Sequence, residues 1–283
     1  MHDYFCGWYF KCQSESGTLA VIPASHRTDG RRLNSIQIIT EDTSRTVFFP
    51  YGALKSEPTG FGIGDCRFGH GGIVLDINEG DFSVRGRLTF GPFSKIKYDI
   101  MGPFRYMPLM ECRHSVKSMS HTLCGKVTVN GKVYDLGGGR GYIEGDRGRS
   151  FPSRYLWTHT FFDEGSLMLS IADIPLGVLN FTGIIGVIHY RGREYRLATY
   201  LGARVVCAKD GEAVVRQGKH ELTVRLIERH PLPLAAPCNG DMSRTIHESA
   251  RCTAEYSFKI GSKVLFSFKT DKASFESEMS IIE

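Results

Sequence analysis

Hydrophobic and polar residues alternate one by one along much of this chain. Residues 221–226 and 253–260 show the alternation most cleanly. A period of two places the apolar side chains on one face of a half-buried β-strand. The turn dipeptide Gly261-Ser262 then leads into another alternating run over residues 264–268. The pattern therefore predicts a long antiparallel hairpin in the last third of the chain.

Dipeptides typical of tight turns mark further hairpins at Asn130-Gly131, Arg191-Gly192 and Asp210-Gly211. Asn-Gly and Asp-Gly favour the positive φ angles of two-residue hairpin loops. Long helical periodicity is nearly absent, so the sequence predicts an all-β fold whose antiparallel sheets close into barrels or pack as a sandwich.

A glycine-rich stretch, Gly137–Gly141, interrupts the strand pattern near the middle of the chain. Such stretches are typical of linkers and of bulged sheet corners. We therefore expect a domain boundary there, with an N-terminal β domain over residues 1–140 and a C-terminal β domain over residues 141–283.

Composition narrows the class of protein. Hydrophobic residues make up 41% and charged residues 23% of the 283 positions, which is ordinary for a soluble globular protein. The net charge of +5 is spread along the chain, and its short basic pairs do not resemble a nucleic-acid footprint. The most apolar run, residues 167–188, is interrupted by Asp173, Pro175 and Asn180, so it predicts two buried strands rather than a membrane-spanning helix.

The eight cysteines include no CxxC pair, and the N-terminus lacks a basic region followed by an apolar core. We therefore expect no secretory signal, free thiols and a cytoplasmic location. The sequence leaves open whether the chain forms a homo-oligomer.

Acidic, basic and aromatic residues are concentrated between residues 141 and 159. Glu144 and Asp146 are two apart, so on a strand they share one face, where each carboxylate raises the pKa of the other. That arrangement suits a catalytic acid. The alternative is a structural corner in which Arg147 and Arg149 neutralise the two carboxylates.

Tyr155, Trp157 and His159 also follow a period of two, so they are expected on one face of the next strand. Electron-rich rings stabilise a neighbouring cation, and such a face suits either a carbocation-like intermediate or an apolar ligand. The alternative is an ordinary barrel core that contains a hydrogen-bonded histidine.

A second polar cluster contains Glu111 and His114, with Cys112 beside the histidine. A Cys112–His114 nucleophilic pair would lack an identified oxyanion hole. Adding His121 and Cys124 gives four potential metal ligands, but their spacing matches no closed zinc motif. We therefore expect no metal and treat Glu111 and His114 as candidate substrate-binding residues.

Several of these residues resemble the tocopherol cyclase family. The resemblance rests on Gly7-Trp8-Tyr9-Phe10-Lys11, Tyr142-x-Glu144, Gly148-x-x-Phe151-Pro152 and Tyr155-x-Trp157. That family is similar to carotenoid 1,2-hydratases and to lipocalin-like proteins that include cofactor-free Diels-Alderases. The resemblance implies two consecutive lipocalin-like antiparallel β-barrel halves and a reaction without a cofactor.

Three positions depart from the family pattern: Asp146 stands where asparagine is common, Arg147 where tryptophan is usual and His159 where glutamine is common. These departures make the pocket more polar and more ionisable than a site for a phytyl quinol. A different polyene, phenol or polyketide is the expected kind of substrate.

Two hypotheses follow for the function. In the first, the chain is a cofactor-free cyclase, isomerase or hydratase of a hydrophobic or phenolic small molecule, with Glu144, Asp146 and His159 as catalytic residues. Its candidate substrate-binding residues are Trp8, Glu111, His114, Tyr142, Arg147, Tyr155 and Trp157. In the second, a β-barrel binds a hydrophobic small molecule without catalysis.

Overall fold

The computed structural model describes residues 3–28, 30–107, 110–176, 179–209 and 211–279. In these ranges the chain forms β-strands joined by turns, loops and three short 3-10 helices. The strands are β1 Tyr4–Ser14, β2 Gly17–Thr28, β3 Arg31–Ile39, β4 Ser44–Pro50, β5 Leu54–Glu57, β6 Gly60–Ile63, β7 Cys66–Gly69, β8 Gly72–Glu79, β9 Phe82–Phe90, β10 Cys112–Val129, β11 Lys132–Asp135, β12 Arg140–Gly148, β13 Tyr155–Phe162, β14 Gly165–Leu176, β15 Leu179–Tyr190, β16 Arg193–Ala198, β17 Arg204–Lys209, β18 Glu212–Gln217, β19 His220–Glu228, β20 Leu232–Cys238, β21 Asp241–Ile260 and β22 Lys263–Ser277. The 3-10 helices are η1 Tyr51–Ala53, η2 Gly102–Tyr106 and η3 Thr199–Leu201.

The strands form two antiparallel sheets, which confirms the predicted all-β fold with two lipocalin-like barrel halves. The first sheet runs in the order β4-β3-β2-β1-β12-β10-β9-β8-β7-β6-β5, with β11 paired to β10. The second runs β16-β15-β14-β13-β22-β21-β19-β18-β17, with β20 paired to β21. Each sheet encloses its own hydrophobic core, the first around residues such as Phe10 and Ile36 and the second around residues such as Leu169 and Phe258.

Turn chemistry explains several of the strand connections. Asn130 and Gly131, between β10 and β11, have φ angles of 47° and 82°, and Arg191 and Gly192, between β15 and β16, have 49° and 71°. Both turns were predicted. For the third predicted turn, Lys209 pairs with Glu212 across the β17–β18 hairpin, while Asp210 lies outside the described residues.

Two other strand predictions are confirmed. The long C-terminal hairpin is β21–β22, in which Tyr256 lies opposite Phe268. The apolar run over residues 167–188 falls in β14 and β15, which pair along their length. Within the described ranges, no helix has the length and apolar character that crossing a bilayer requires.

Contacts divide the chain into two compact units that are discontinuous in sequence. The first unit contains Met1–Lys95, His114–Ser150 and Leu234–Arg244; the second contains Ile96–Arg113, Phe151–Pro233 and Thr245–Glu283. The predicted boundary after residue 140 differs from this division, because β12 pairs with β1 over Arg140–Gly148 and so stays with the N-terminal strands.

Buried polar contacts of Arg196 fix the segment that leads into β10. Its guanidinium group donates to Glu194 at 2.7 Å, to the Tyr98 carbonyl at 2.5 Å and to the Asp99 carbonyl at 3.2 Å. The Arg196 and Glu194 side chains are only 5% and 6% exposed. This pair therefore holds residues 98 and 99 against β16 in the second unit.

Replacing Arg196 by methionine should destabilise the protein by about 3–5 kcal/mol, because it leaves the Glu194 carboxylate buried without its cation. Urea denaturation measures the loss, and limited trypsin digestion should cut faster after Lys97. The control Arg225→Met removes the partner of Glu212 in an exposed pair and should cost less than about 1 kcal/mol. Equal losses in the two variants would contradict the anchoring role of Arg196.

Candidate active site

The two faces of β12 have different surroundings. Ile143 points into the first core, whereas Tyr142, Glu144 and Asp146 alternate with it and point to the opposite face. The prediction that Glu144 and Asp146 share a face is confirmed by their common contact with His114.

His114, from β10, lies between the two carboxylates. Its Nδ1 is 2.9 Å from Oδ1 of Asp146, and its Nε2 is 3.2 Å from Oε2 of Glu144. The side chains are 10%, 22% and 7% exposed for His114, Asp146 and Glu144, respectively. The Ser115 hydroxyl donates to the Gly145 carbonyl at 3.0 Å, which fixes β10 beside β12 at this point.

Tyr142 completes the cluster. It is fully buried, and its hydroxyl donates a short hydrogen bond to Glu144. Burial raises the pKa of Tyr142 well above its usual range, and the negative charge of Glu144 adds to the effect. We refer to the connected side chains Tyr142, Glu144, His114 and Asp146 as the relay.

The neighbours of His114 determine the pKa of its imidazole. Burial alone lowers the pKa of His114, but the nearby Asp146 and Glu144 carboxylates outweigh it and raise that pKa well above 6.5. A raised pKa favours the protonated imidazole of His114 at neutral pH. The sequence placed the two carboxylates together; the structure adds the cation between them.

The alternative of a salt-bridged corner concerns Arg147 and Arg149. Arg147 and Arg149 occupy alternate positions of β12 and its extension, and both are exposed. Arg147 lies opposite Cys6 of β1 rather than beside Glu144. His114 contacts both carboxylates.

The relay also contains the ligand types of a metal site. One ligand atom each of His114, Glu144 and Asp146 can be chosen within 4.8 Å of one another. In the structure the two carboxylates contact different nitrogens of the same imidazole ring. Only the contact of Nδ1 with Asp146 has hydrogen-bond geometry.

Trp8 was predicted to bind substrate, but it points away from the relay. It lies opposite Gly145 on β1 and packs against the first core. The ammonium group of Lys117 lies 5.3 Å from the centre of its ring. Trp8 and Arg147 are therefore on the other face of the sheet from Glu144.

Sequence reasoning missed two residues of β1 that share the face of the relay. Tyr9 lies opposite Glu144, and Lys11 lies opposite Tyr142. Both are buried, Lys11 completely. The alternation of β1 could have predicted them. Residues 9 and 11 point to the face opposite that of Phe10, which lies in the core.

The second unit has a polar face of its own on β13. Trp157 lies opposite Glu276, and His159 lies opposite Ser274. The Tyr155 hydroxyl donates to Glu276 at 2.7 Å. Tyr155, Trp157 and His159 are all buried and share one strand face, as predicted.

Two buried carboxylates on this face were not among the predicted site residues. Glu276 is 9% exposed and Glu248 is fully buried, and the two lie opposite each other on β22 and β21. For Glu276 the signal was its place in the alternation with apolar Ala273 and Phe275. The remaining predicted residue, Glu111, lies in the second unit directly before β10 and is half-buried.

No protein-family model matches the sequence, and a search among curated proteins finds no match. Solved structures match over nearly the whole chain. CghA with Sch210972 gives a TM-score of 0.64 at 11% identity, over 98% of this chain and 89% of the other. A putative AttH from Nitrosomonas europaea gives 0.56 at 8% identity, over 99% and 93%. Kievitone hydratase from Nectria haematococca gives 0.52 at 9% identity, over 98% and 89%.

This chain shares the fold of those three proteins. At such low identities the similarity establishes the fold alone, and the chemistry has to be argued from the side chains.

The raised pKa of His114 predicts how stability depends on pH. A histidine whose folded pKa exceeds its unfolded value of about 6.5 contributes its full stabilisation below that value. The contribution is lost as pH rises through the higher folded value. His114→Gln should therefore cost about 3 kcal/mol near neutral pH, and the deficit should shrink in alkaline solution.

Urea denaturation of wild type and His114→Gln across neutral and alkaline pH measures this deficit. His70→Gln, at an exposed histidine, is the matched control and should change stability little at any pH. A deficit for His114→Gln that does not vary with pH would argue against the buried imidazolium.

Proposed function

We propose that the protein is a cofactor-free acid–base catalyst that cyclises, isomerises or hydrates a hydrophobic or phenolic small molecule. The observation that carries this proposal is the buried imidazolium of His114 between Glu144 and Asp146, with Tyr142 hydrogen-bonded to the same chain of groups. A proton held at neutral pH beside two carboxylates suits reactions that begin by protonating an alkene or an enone.

The proposed reaction is balanced without a cofactor. His114 transfers its proton to the substrate, and the carbocation or oxocarbenium ion that forms is stabilised by the carboxylates of Glu144 and Asp146. A substrate hydroxyl or a water molecule then forms a bond to the cationic carbon. Its proton returns to the neutral imidazole, so His114 is ready for another turnover. Loss of a proton instead of trapping gives an isomerisation.

We propose a role for His114 that differs from the one predicted from the sequence. We keep Glu144 and Asp146 as proposed catalytic residues, and we propose His114 as the proton carrier rather than as a substrate-binding residue. Tyr142 positions Glu144 through its hydrogen bond. Tyr155, Trp157 and His159 remain proposed site residues on the polar face of the second unit.

The name of one structural neighbour supports this reaction class. Kievitone hydratase is named for a hydration, and adding water to a double bond consists of proton transfer and capture of water. Another neighbour was crystallised with the compound Sch210972. These names support small-molecule chemistry on this fold, and the relay supplies the acid–base groups for it in this chain.

The departures from the tocopherol cyclase pattern favour a substrate other than a phytyl quinol. Asp146 stands where that family commonly has asparagine, and its carboxylate is one of the two partners of His114. A neutral amide there would leave the imidazolium with a single negative neighbour. Asp146 therefore tunes the relay toward storing a proton, which is a property of this chain's own chemistry.

Turnover in D2O tests the proposed reaction. Small molecules retained by the purified protein are identified by mass spectrometry and supplied as substrate. The product should then carry one deuterium in a position that does not exchange, because the acid adds its proton to carbon. Glu144→Gln and Asp146→Asn should each lower kcat by about 10²-fold or more, the size of a typical general acid–base contribution.

Asp81→Asn, at a carboxylate that is 88% exposed, is the matched control and should keep wild-type kcat. If both relay variants kept wild-type turnover while staying folded, the catalytic assignment would be lost. A protein that retains a small molecule but never converts it would support the alternative of a binding protein.

A further inference from the structure

Four large apolar side chains of the first unit are exposed around β4 and η1. Phe48 and Tyr51 are 51% and 47% exposed, and Leu33 and Leu54 are 43% and 38% exposed. Single exposed apolar residues are common on protein surfaces, whereas a group of neighbouring ones marks an interaction surface. We refer to these four residues as the apolar patch.

Strand pairing places Leu33 beside Phe48. Leu33 lies directly opposite Pro50 on β4, and Ser35 lies directly opposite Phe48. Directly opposite residues of antiparallel strands point to the same face, and so do residues two apart on one strand. Leu33 and Phe48 are therefore diagonal neighbours on one face of the β3–β4 pair.

The other two residues of the apolar patch lie in the turn that follows β4. The Asn34 side chain donates to the carbonyls of Pro50 and Tyr51 at 2.9 Å and 3.1 Å. The Leu54 N–H donates to the Tyr51 carbonyl, which closes the turn. The Arg32 guanidinium group lies 4.9 Å from the centre of the Tyr51 ring and donates to its hydroxyl at 3.0 Å. These contacts hold Tyr51 and Leu54 at the Pro50 end of the β3–β4 pair.

Basic residues flank the apolar patch on both sides. Arg31 and Arg32 directly precede Leu33, and Lys55 directly follows Leu54; Arg31 and Lys55 are exposed. Glu57, the acidic residue nearest to Lys55 in sequence, pairs with Arg67 at 3.0 Å. The surface therefore combines exposed apolar side chains with positive charge.

We propose that the apolar patch binds the surface of an anionic lipid bilayer. Tyrosine and other aromatic rings suit the level of the lipid head groups. Arginine and lysine side chains are attracted to anionic lipids, and their long aliphatic stems let the charge reach the phosphates while the apolar side chains enter the bilayer surface.

The flanking charges favour a lipid surface over a second copy of this chain. In a symmetric dimer the same surface of each copy meets its equivalent, so Arg31 and Lys55 would approach cations of the other copy. An anionic bilayer supplies the opposite charge together with an apolar interior. The inference is independent of the proposed function, because binding to lipid vesicles requires neither substrate nor turnover.

Sedimentation of the full-length protein with sucrose-loaded vesicles tests the inference. One set of vesicles contains phosphatidylcholine alone, and the other contains about one-quarter phosphatidylglycerol. We expect wild type to bind the anionic vesicles at least about tenfold more tightly than the neutral ones. Added NaCl should weaken this preference, because salt screens the attraction between surface charges.

Two double variants separate the apolar contribution from the charged one. Phe48→Ser/Tyr51→Ser should lower the affinity for anionic vesicles by at least about tenfold, because it removes apolar area that the bilayer would cover. Arg31→Gln/Lys55→Gln should lower the same affinity by about tenfold or more and leave binding to neutral vesicles unchanged. Both variants should keep the wild-type Tm within a few degrees, since the replaced side chains are exposed.

Matched controls carry the same kinds of substitution elsewhere on the surface. Tyr106 and Val264 are 78% and 55% exposed, and Arg204 and Lys219 are exposed. Tyr106→Ser/Val264→Ser and Arg204→Gln/Lys219→Gln should therefore bind both kinds of vesicle as wild type does.

Wild-type protein that does not sediment with anionic vesicles would overturn the inference. Patch variants that bind them as tightly as their matched controls would do the same. Analytical ultracentrifugation without lipid gives a third outcome: a wild-type dimer that becomes monomeric in Phe48→Ser/Tyr51→Ser would assign the apolar patch to a second copy instead. None of these results bears on the proposed function, which is decided by deuterium in the product.

Discussion

The candidate site depends on one interaction, the contact of the His114 imidazolium with two carboxylates. Two acidic side chains on one buried strand face would repel each other, and burying both charges would cost a large desolvation free energy. The imidazole ring between them compensates both charges, because each ring nitrogen contacts a different carboxylate. Without it, Glu144 and Asp146 would lose the ring that lies between them.

The sheet allows this arrangement because its apolar and polar side chains lie on opposite faces. One face of β12 packs Ile143 into an apolar core, which holds the strand in register. The opposite face is then free to carry polar groups that would be unacceptable inside the core. β13 repeats the same division, with Leu156 in the second core and Trp157 on the polar face. The residues that stabilise the fold and the polar candidate residues thus lie on different faces of the same strands.

Local patterns predicted several of the strands and part of the site. A period of two was enough to place Glu144 and Asp146 together, and Asn130-Gly131 was enough to predict a hairpin. His114 was recognised as a candidate, but its position between the carboxylates was not, because it lies 32 residues before Asp146 and meets it only through the pairing of β10 with β12. Contacts of this range depend on strand order, which alternation does not encode.

The most direct test is 15N NMR of histidine-labelled protein, with His114 assigned by comparison with His114→Gln. We predict that both ring nitrogens of His114 carry protons at pH values well above 6.5, whereas buried His121, whose pKa burial lowers to about 4, is neutral there. A neutral His114 ring at pH 7 would contradict the stored proton on which the proposed chemistry depends.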